Sequence, residues 1–142
     1  GTPPPDTPNT TPDPGPPAPS LPPAPAASGA AGAVAAATSR LGAPYVWAAA
    51  GPDTFDCSGL TMWAWAQVGR SLPHNSGAQF SSTRRVTAAQ LQPGDLVFYF
   101  SPISHVSMYI GGGQIVDAPH SGATVRITSM GYPGTIVGYG RP

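Results

Sequence analysis

Residues 91–118 read LQPGDLVFYFSPISHVSMYIGGGQIVDA, and this stretch decides the fold. Upstream of it, apolar residues recur at helical spacing, whereas after Asp95 they follow the shorter period of strands. Polar and apolar residues alternate along 105–110, as in a half-buried strand, and three consecutive glycines then form a turn. We predict about five short strands, over 96–100, 105–110, 114–118, 124–128 and 135–139.

The residues before that stretch predict three helices. An alanine-rich helix is expected over 26–41, a second over 57–68 with Leu60, Ala64 and Val68 on one stripe, and a short third over 75–82. Helices therefore precede the strands, and no helical crossover separates one strand from the next. This order predicts an α+β fold with an antiparallel, meandering sheet.

The first 25 residues differ in composition from the rest of the chain. They hold 12 of the 20 prolines, and their only large apolar residue is Leu21. Such a segment cannot bury enough surface to form a core, so we predict an extended polyproline II arm over 1–25 and one folded domain over 26–142. We expect the arm to act as a linker or to dock on its own or a neighbouring surface.

Composition also argues against several classes of function. The net charge is zero, and no basic run is longer than Arg84-Arg85, which argues against a nucleic-acid partner. No stretch is apolar enough for a membrane span. One cysteine and three scattered histidines lack the spacing of a zinc site, and no phosphate-binding loop is present, so we predict no metal and no cofactor. The Pro/Thr-rich start, without an initiator methionine, favours a mature secreted or cell-wall-associated protein whose signal peptide has been removed.

The single cysteine lies in the run Phe55-Asp56-Cys57-Ser58-Gly59-Leu60, where an acidic turn opens the second predicted helix. Cys57 has no cysteine partner for an internal disulfide, and a helix start stabilises the thiolate, which is the nucleophilic form. A nucleophilic cysteine needs an imidazole base. Of the three histidines, His105 begins the best predicted strand, whereas His74 lies in a loop at the rim and His120 in a turn.

The length of the Gly111–Gly113 turn decides which side chain can orient His105. A two-residue turn places His105 opposite His120 and turns Asp117 to the other face of the sheet. A three-residue turn places Asp117 on the face of His105, one diagonal step away, where a carboxylate can accept the imidazole N–H. The sequence leaves these two registers open.

Four motifs together resemble the NlpC/p60 cysteine peptidases, and especially the cell-wall endopeptidases of mycobacteria. They are Tyr45-Val46-Trp47, the run 55–60, LQPGDLVF over 91–98 and SHVSMYIG over 104–111. The resemblance spans about residues 28–142 and implies a papain-like core. It implies that Cys57 is the nucleophile, that His105 is the base, and that Asp117, twelve residues later, is the third polar residue, where most members have histidine.

The resemblance also implies a substrate. Family members hydrolyse peptidoglycan stem peptides, typically between D-glutamate and diaminopimelate, so Asp56 and Ser58 are expected to hold the free amino end of the stem. Ser104 is expected to contact substrate, and Tyr45 to stabilise the oxyanion together with the Cys57 N–H. The competing hypotheses are a non-catalytic peptidoglycan-binding module and a related cysteine amidase or acyltransferase.

Overall fold

A computed structural model describes residues 29–142 of the chain, and the predicted arm and the first residues of the 26–41 helix lie outside the described residues. The fold is α+β, as predicted, with three helices and six strands. In chain order the elements are α1 (Ala30–Thr38), α2 (Cys57–Ala66), α3 (Ser76–Ser82), β1 (Arg84–Val86), one turn of 3-10 helix (Ala88–Gln90), β2 (Leu96–Tyr99), β3 (His105–Gly111), β4 (Gln114–Asp117), β5 (Arg126–Ser129) and β6 (Ile136–Arg141).

The strands form one antiparallel sheet in the order β1-β6-β2-β3-β4-β5. The prediction of a meander was wrong at the end of the chain, because β6 crosses back to pair with β2 instead of extending the sheet beyond β5. Strand β1 was not predicted, and β5 begins two residues later than expected.

Helix α2 packs against the sheet and places its first turn above β3. Trp65 is fully buried and donates its indole N–H to the Gly94 carbonyl oxygen at 3.1 Å, which ties the helix to the start of β2. All four residues of β2 are buried, as expected for a strand in the middle of a sheet. Leu60, Phe98, Val106 and Met108 complete the contact between helix and sheet.

A buried ion pair fixes the entry to β2. Asp95 accepts two hydrogen bonds from Arg141 on β6, each at 2.8 Å, and a third from the Gln92 N–H at 2.8 Å. A bidentate pair of this kind has a defined geometry, so it aligns β6 with β2. This contact gives the Gln92–Asp95 turn its structural role.

The β3–β4 hairpin combines features of the two predicted registers. Gly111 pairs with Gln114, so the turn itself has two residues, but the register shifts at Ile110, and Met108 then pairs with Val116 and Tyr109 with Ile115. That bulge moves β3 into the register of the three-residue alternative. All three glycines of the turn have positive φ angles, which glycine adopts without steric cost.

Within residues 29–142, no helix combines the length and the apolar character that a membrane crossing requires.

Candidate active site

Cys57 is the first residue of α2, and the residues around it hold the helix start in place. Asp56 is the N-cap, and its Oδ1 accepts the Gly59 N–H at 2.6 Å. The Asp56 N–H in turn donates to the Ala49 carbonyl oxygen at 2.8 Å. A Cβ on Gly59 would overlap that carbonyl oxygen, so this close approach of loop and helix requires glycine. The cysteine therefore lies on a rigid turn with unpaired helical N–H groups beside it.

The loop before α2 is folded against the same carboxylate. Tyr45 forms a parallel bridge with Phe55, and the Ala48 N–H donates to Asp56 Oδ2 at 3.1 Å. Ala48 has a φ of 66°, a left-handed conformation that favours glycine. Ala48 therefore adopts a glycine-like conformation despite its side chain.

His105, Asp117 and Arg126 form a hydrogen-bonded chain across β3, β4 and β5. His105 Nε2 lies 2.8 Å from Asp117 Oδ2, and Arg126 Nε donates to Asp117 Oδ1 at 2.9 Å. Asp117 is fully buried, and the His105 side chain is only 9% exposed. Because Asp117 occupies Nε2, the ring presents Nδ1 as the nitrogen available to the Cys57 thiol.

The environment of His105 favours its charged form. Burial lowers the pKa of His105, but the hydrogen bond that the ring donates to Asp117 and the interaction with Cys57 outweigh burial and raise the pKa to about 9. Burial has the opposite effect on Asp117 and raises its pKa. The hydrogen bonds that His105 and Arg126 donate to the carboxylate more than offset burial, so the pKa of Asp117 lies below its ordinary value. An imidazolium held between a carboxylate and a thiol is the arrangement that a cysteine nucleophile needs.

Tyr45 lies beside the cysteine. Its pKa is raised by burial and by the negative charges of Cys57 and Asp56. The phenol therefore keeps its proton over the physiological range and can donate a hydrogen bond next to the thiol.

Two pockets lie on either side of this group. The first, here called the α2 pocket, encloses about 330 Å³ and is lined by Trp47, Ala48, Asp56, Ser58, His74, Asn75 and Ser76. The second, here called the β5 pocket, encloses about 200 Å³ and is lined by Phe100, Ser104, His105, Pro119, His120, Arg126 and Pro133. His105 lines the β5 pocket and Asp56, the neighbour of Cys57, lines the α2 pocket, so the two pockets are candidate subsites for a substrate that reacts at Cys57.

The structure brings together most of the predicted site residues and adds two. Asp56 and Ser58 share the α2 pocket, and Ser104 lies beside His105 in the β5 pocket. His74, expected in a loop at the rim, lines the α2 pocket, and its Nε2 lies 2.9 Å from Asp56 Oδ1, a contact that was not predicted. Arg126 was not predicted either, because its position opposite Asp117 depends on how β4 pairs with β5.

His120 does not orient the base. Its Nδ1 bonds the Ser121 carbonyl oxygen at 3.0 Å, and Asp117 holds the imidazole of His105 instead. Within residues 29–142, no group of three His, Cys, Asp or Glu side chains could hold a metal ion. The contacts of His105 with Cys57 and Asp117 support nucleophilic chemistry through a thiol and an imidazole.

Comparison with known proteins agrees with this geometry. The model of the NlpC/P60 family matches residues 42–136. The chain belongs to the NlpC/P60 family. A "Probable endopeptidase p60" of Listeria grayi is 48% identical over 110 residues, which cover 75% of this chain and 22% of that protein. A probable endopeptidase of Mycobacterium tuberculosis (strain H37Rv) is 45% identical over 101 residues, or 71% of this chain and 26% of that protein.

The fold comparison leads to the same family. The solved NlpC/p60 domain of the peptidoglycan hydrolase SagA superposes with a TM-score of 0.72 and 35% identity, over 78% of this chain and 97% of that chain. The matched part of the chain therefore covers nearly all of that solved domain, whereas it spans about a quarter of the length of the two curated relatives described above.

Proposed function

We propose that this protein is a cysteine endopeptidase that hydrolyses peptidoglycan stem peptides at the bond between D-glutamate and diaminopimelate. The observation that carries the proposal is the interaction of Cys57, at the start of α2, with His105, whose ring bonds Asp117. Family membership and the printed names of the relatives support it. Such a substrate implies action outside the cell, at the wall.

The catalytic steps follow from the positions of the side chains. The Cys57 thiolate attacks the scissile carbonyl carbon, and its proton resides on His105. The Cys57 N–H and the Tyr45 hydroxyl stabilise the oxyanion of the tetrahedral intermediate. The imidazolium then protonates the leaving amine as the C–N bond breaks, which leaves a thioester. His105 next takes a proton from water, whose oxygen attacks the thioester carbonyl carbon. The C–S bond then breaks, the acyl part leaves with a new carboxyl group, and the Cys57 sulfur is free for another cycle.

Asp117 has a positioning role in these steps. Its bond to Nε2 fixes the ring orientation and the tautomer, as the third member of a nucleophile–base–carboxylate triad does. Arg126 in turn holds both oxygens of Asp117, at 2.9 and 3.4 Å.

The α2 pocket is the proposed site for the amino end of the stem. Among residues 29–142, Asp56 Oδ1 is used by the Gly59 N–H, His74 and the Ser58 hydroxyl, whereas Oδ2 accepts only the Ala48 N–H and keeps a lone pair for an ammonium group. Ser58 lies in the same pocket. We expect acetylation of the peptide amine to raise KM at least tenfold, since it removes a charge-assisted hydrogen bond of about 1.5–3 kcal/mol. Equal turnover of free and acetylated peptides would remove Asp56 from substrate binding.

Loss of the nucleophile tests the proposal. Cys57→Ala should abolish hydrolysis of L-Ala-γ-D-Glu-diaminopimelate and leave the thermal unfolding midpoint nearly unchanged. His105→Ala should be as damaging, because the two groups act as one unit. Hydrolysis by Cys57→Ala at the wild-type rate would refute the assignment of Cys57 as the nucleophile.

Thiol labelling separates an enzyme from a non-catalytic binding module. A thiolate held beside an imidazolium reacts rapidly with iodoacetamide at neutral pH, whereas an inert thiol reacts slowly. We expect labelling of wild type at least tenfold faster than labelling of His105→Ala. Equal labelling rates would favour the binding module.

A further inference from the structure

The β5 pocket is chemically the opposite of the α2 pocket. The α2 pocket contains the carboxylate of Asp56, whereas no lining residue of the β5 pocket is acidic and two of them are Arg126 and His120. Asp117, the partner of Arg126, is fully buried and does not line the pocket. The pocket therefore presents a cation to whatever enters it.

Arg126 has donors left for a ligand. Its two hydrogen bonds to Asp117 use Nε and Nη2, which leaves three of its five N–H groups. Its side chain is 29% exposed, and the guanidinium carbon lies 5.1 Å from the ring centroid of Tyr132. A guanidinium held at one edge by a buried carboxylate and flanked by an aromatic ring is oriented before a ligand arrives, which reduces the entropic cost of binding.

The position of this pocket relative to the reacting atoms indicates which part of the substrate it meets. His105 is one of its walls, and His105 is the group that donates a proton to the leaving amine. The amine must therefore leave next to this pocket, while the acyl part lies toward the α2 pocket on the other side of Cys57.

From these observations we propose that the β5 pocket is a carboxylate subsite for the leaving-group side of the substrate, with Arg126 as its cation. The proposal rests on the proposed function and adds a substrate requirement to it: the released amine carries a carboxylate close to its nitrogen. Arg126 then has two roles, since it also positions Asp117.

A matched pair of substrates tests this subsite. One is L-Ala-γ-D-Glu-diaminopimelate with free carboxylates on the diaminopimelate, and the other is the same peptide with those carboxylates converted to carboxamides. We expect wild type to prefer the carboxylate form by about tenfold in kcat/KM, in line with one charge-assisted hydrogen bond at a half-exposed site. Arg126→Gln should lower kcat on both peptides and bring the ratio to about one, and Arg126→Lys should keep part of the preference.

Arg84→Gln is the matched control, because Arg84 is an exposed arginine on β1, at the opposite edge of the sheet. It removes the same charge from the chain and should retain the tenfold ratio. The ratio does not depend on the fraction of folded protein, so destabilisation by Arg126→Gln cannot imitate the result. A wild-type ratio near one, or a ratio that survives in Arg126→Gln, would overturn the subsite.

The same pair distinguishes this proposal from the proposed function. Turnover of both peptides without a preference contradicts the subsite alone. If neither peptide is cleaved, the proposed function fails, and the dissociation constants of the two peptides for Cys57→Ala then decide the subsite: a carboxylate preference that Arg126→Gln removes supports it, and equal affinities contradict it.

Discussion

At the residue scale, the site depends on carboxylates that each hold several partners. Asp56 caps α2, fixes the Ala48 loop and contacts His74, while Asp117 holds both His105 and Arg126. The two aspartates could be singled out from the sequence because they lie next to or at a fixed distance from the nucleophile and the base. Their second partners, His74 and Arg126, are distant in sequence from any motif and are brought in only by tertiary structure.

We predict that Asp117→Asn shifts the pH profile of the enzyme. The pKa of His105 is about 9, so the imidazolium that protonates the leaving amine is lost above that pH. Without the carboxylate, the pKa of His105 falls, and the alkaline limb of kcat/KM should move to lower pH while kcat drops. Asp53→Asn, in an exposed loop, serves as the control and should keep the wild-type profile. An unchanged alkaline limb in Asp117→Asn would show that the carboxylate does not set the charge of the base.

We also predict that Ala48→Gly stabilises the protein. A residue with a side chain at φ 66° carries a steric cost of about 1–2 kcal/mol. This cost exceeds the free energy that glycine loses on folding through its greater backbone entropy. The free energy of unfolding should rise by about 0.5–1 kcal/mol in a urea titration. Ala49→Gly is the matched control, because Ala49 does not have a positive φ, and it should lose stability. A loss of stability in both variants would contradict the inference that the backbone of Ala48 is strained.

At the element scale, α3 supports the start of α2 through one buried amide. The Gln79 side chain is fully buried, donates to the carbonyl oxygens of Ser58 and Pro73, each at 2.9 Å, and accepts the Thr61 hydroxyl at 2.7 Å. These bonds join the first turn of α2 to the loop that carries His74. The geometry of the α2 pocket therefore depends on a residue that does not line it.

Gln79→Leu should accordingly impair both stability and substrate binding. It leaves buried polar partners unpaired, at a cost of about 2–4 kcal/mol in the free energy of unfolding, and it frees the His74 loop, so KM should rise more than kcat falls. Gln67→Leu, at the exposed C-cap of α2, should change neither quantity appreciably. If Gln79→Leu were as active and as stable as Gln67→Leu, the hydrogen bonds of Gln79 would have no role in stability or in substrate binding.

The sequence predicted the elements with strong periodicity and missed those that depend on partners. Helices α2 and α3 and strands β2 to β4 were predicted within two residues of their observed ends. Strand β1 has only three residues, too few for a period, and exists because it pairs with β6. The bulge at Ile110 is likewise a property of two paired strands, and for this reason the register of the His105 hairpin stayed open.

At the scale of the whole molecule, the charged pair at the site couples folding to pH. The pKa of His105 is raised from its unfolded value of 6.5 to about 9, so the folded state binds a proton more tightly than the unfolded state. The resulting stability is fully present below about pH 6.5 and is lost as the pH rises through 9. The unfolding midpoint of wild type should therefore fall between pH 6.5 and 9.5. His105→Gln retains Cys57 but lacks the titrating ring, and a similar fall in that variant would assign the effect to another group.

The most direct test of the account is mass-spectrometric identification of the products that the intact protein forms from L-Ala-γ-D-Glu-diaminopimelate. Wild type should form two products, L-Ala-γ-D-Glu and free diaminopimelate, and Cys57→Ala should form neither. An intact peptide after prolonged incubation, or cleavage between alanine and glutamate instead, would contradict the claim that this chain is an endopeptidase for the D-glutamyl–diaminopimelate bond.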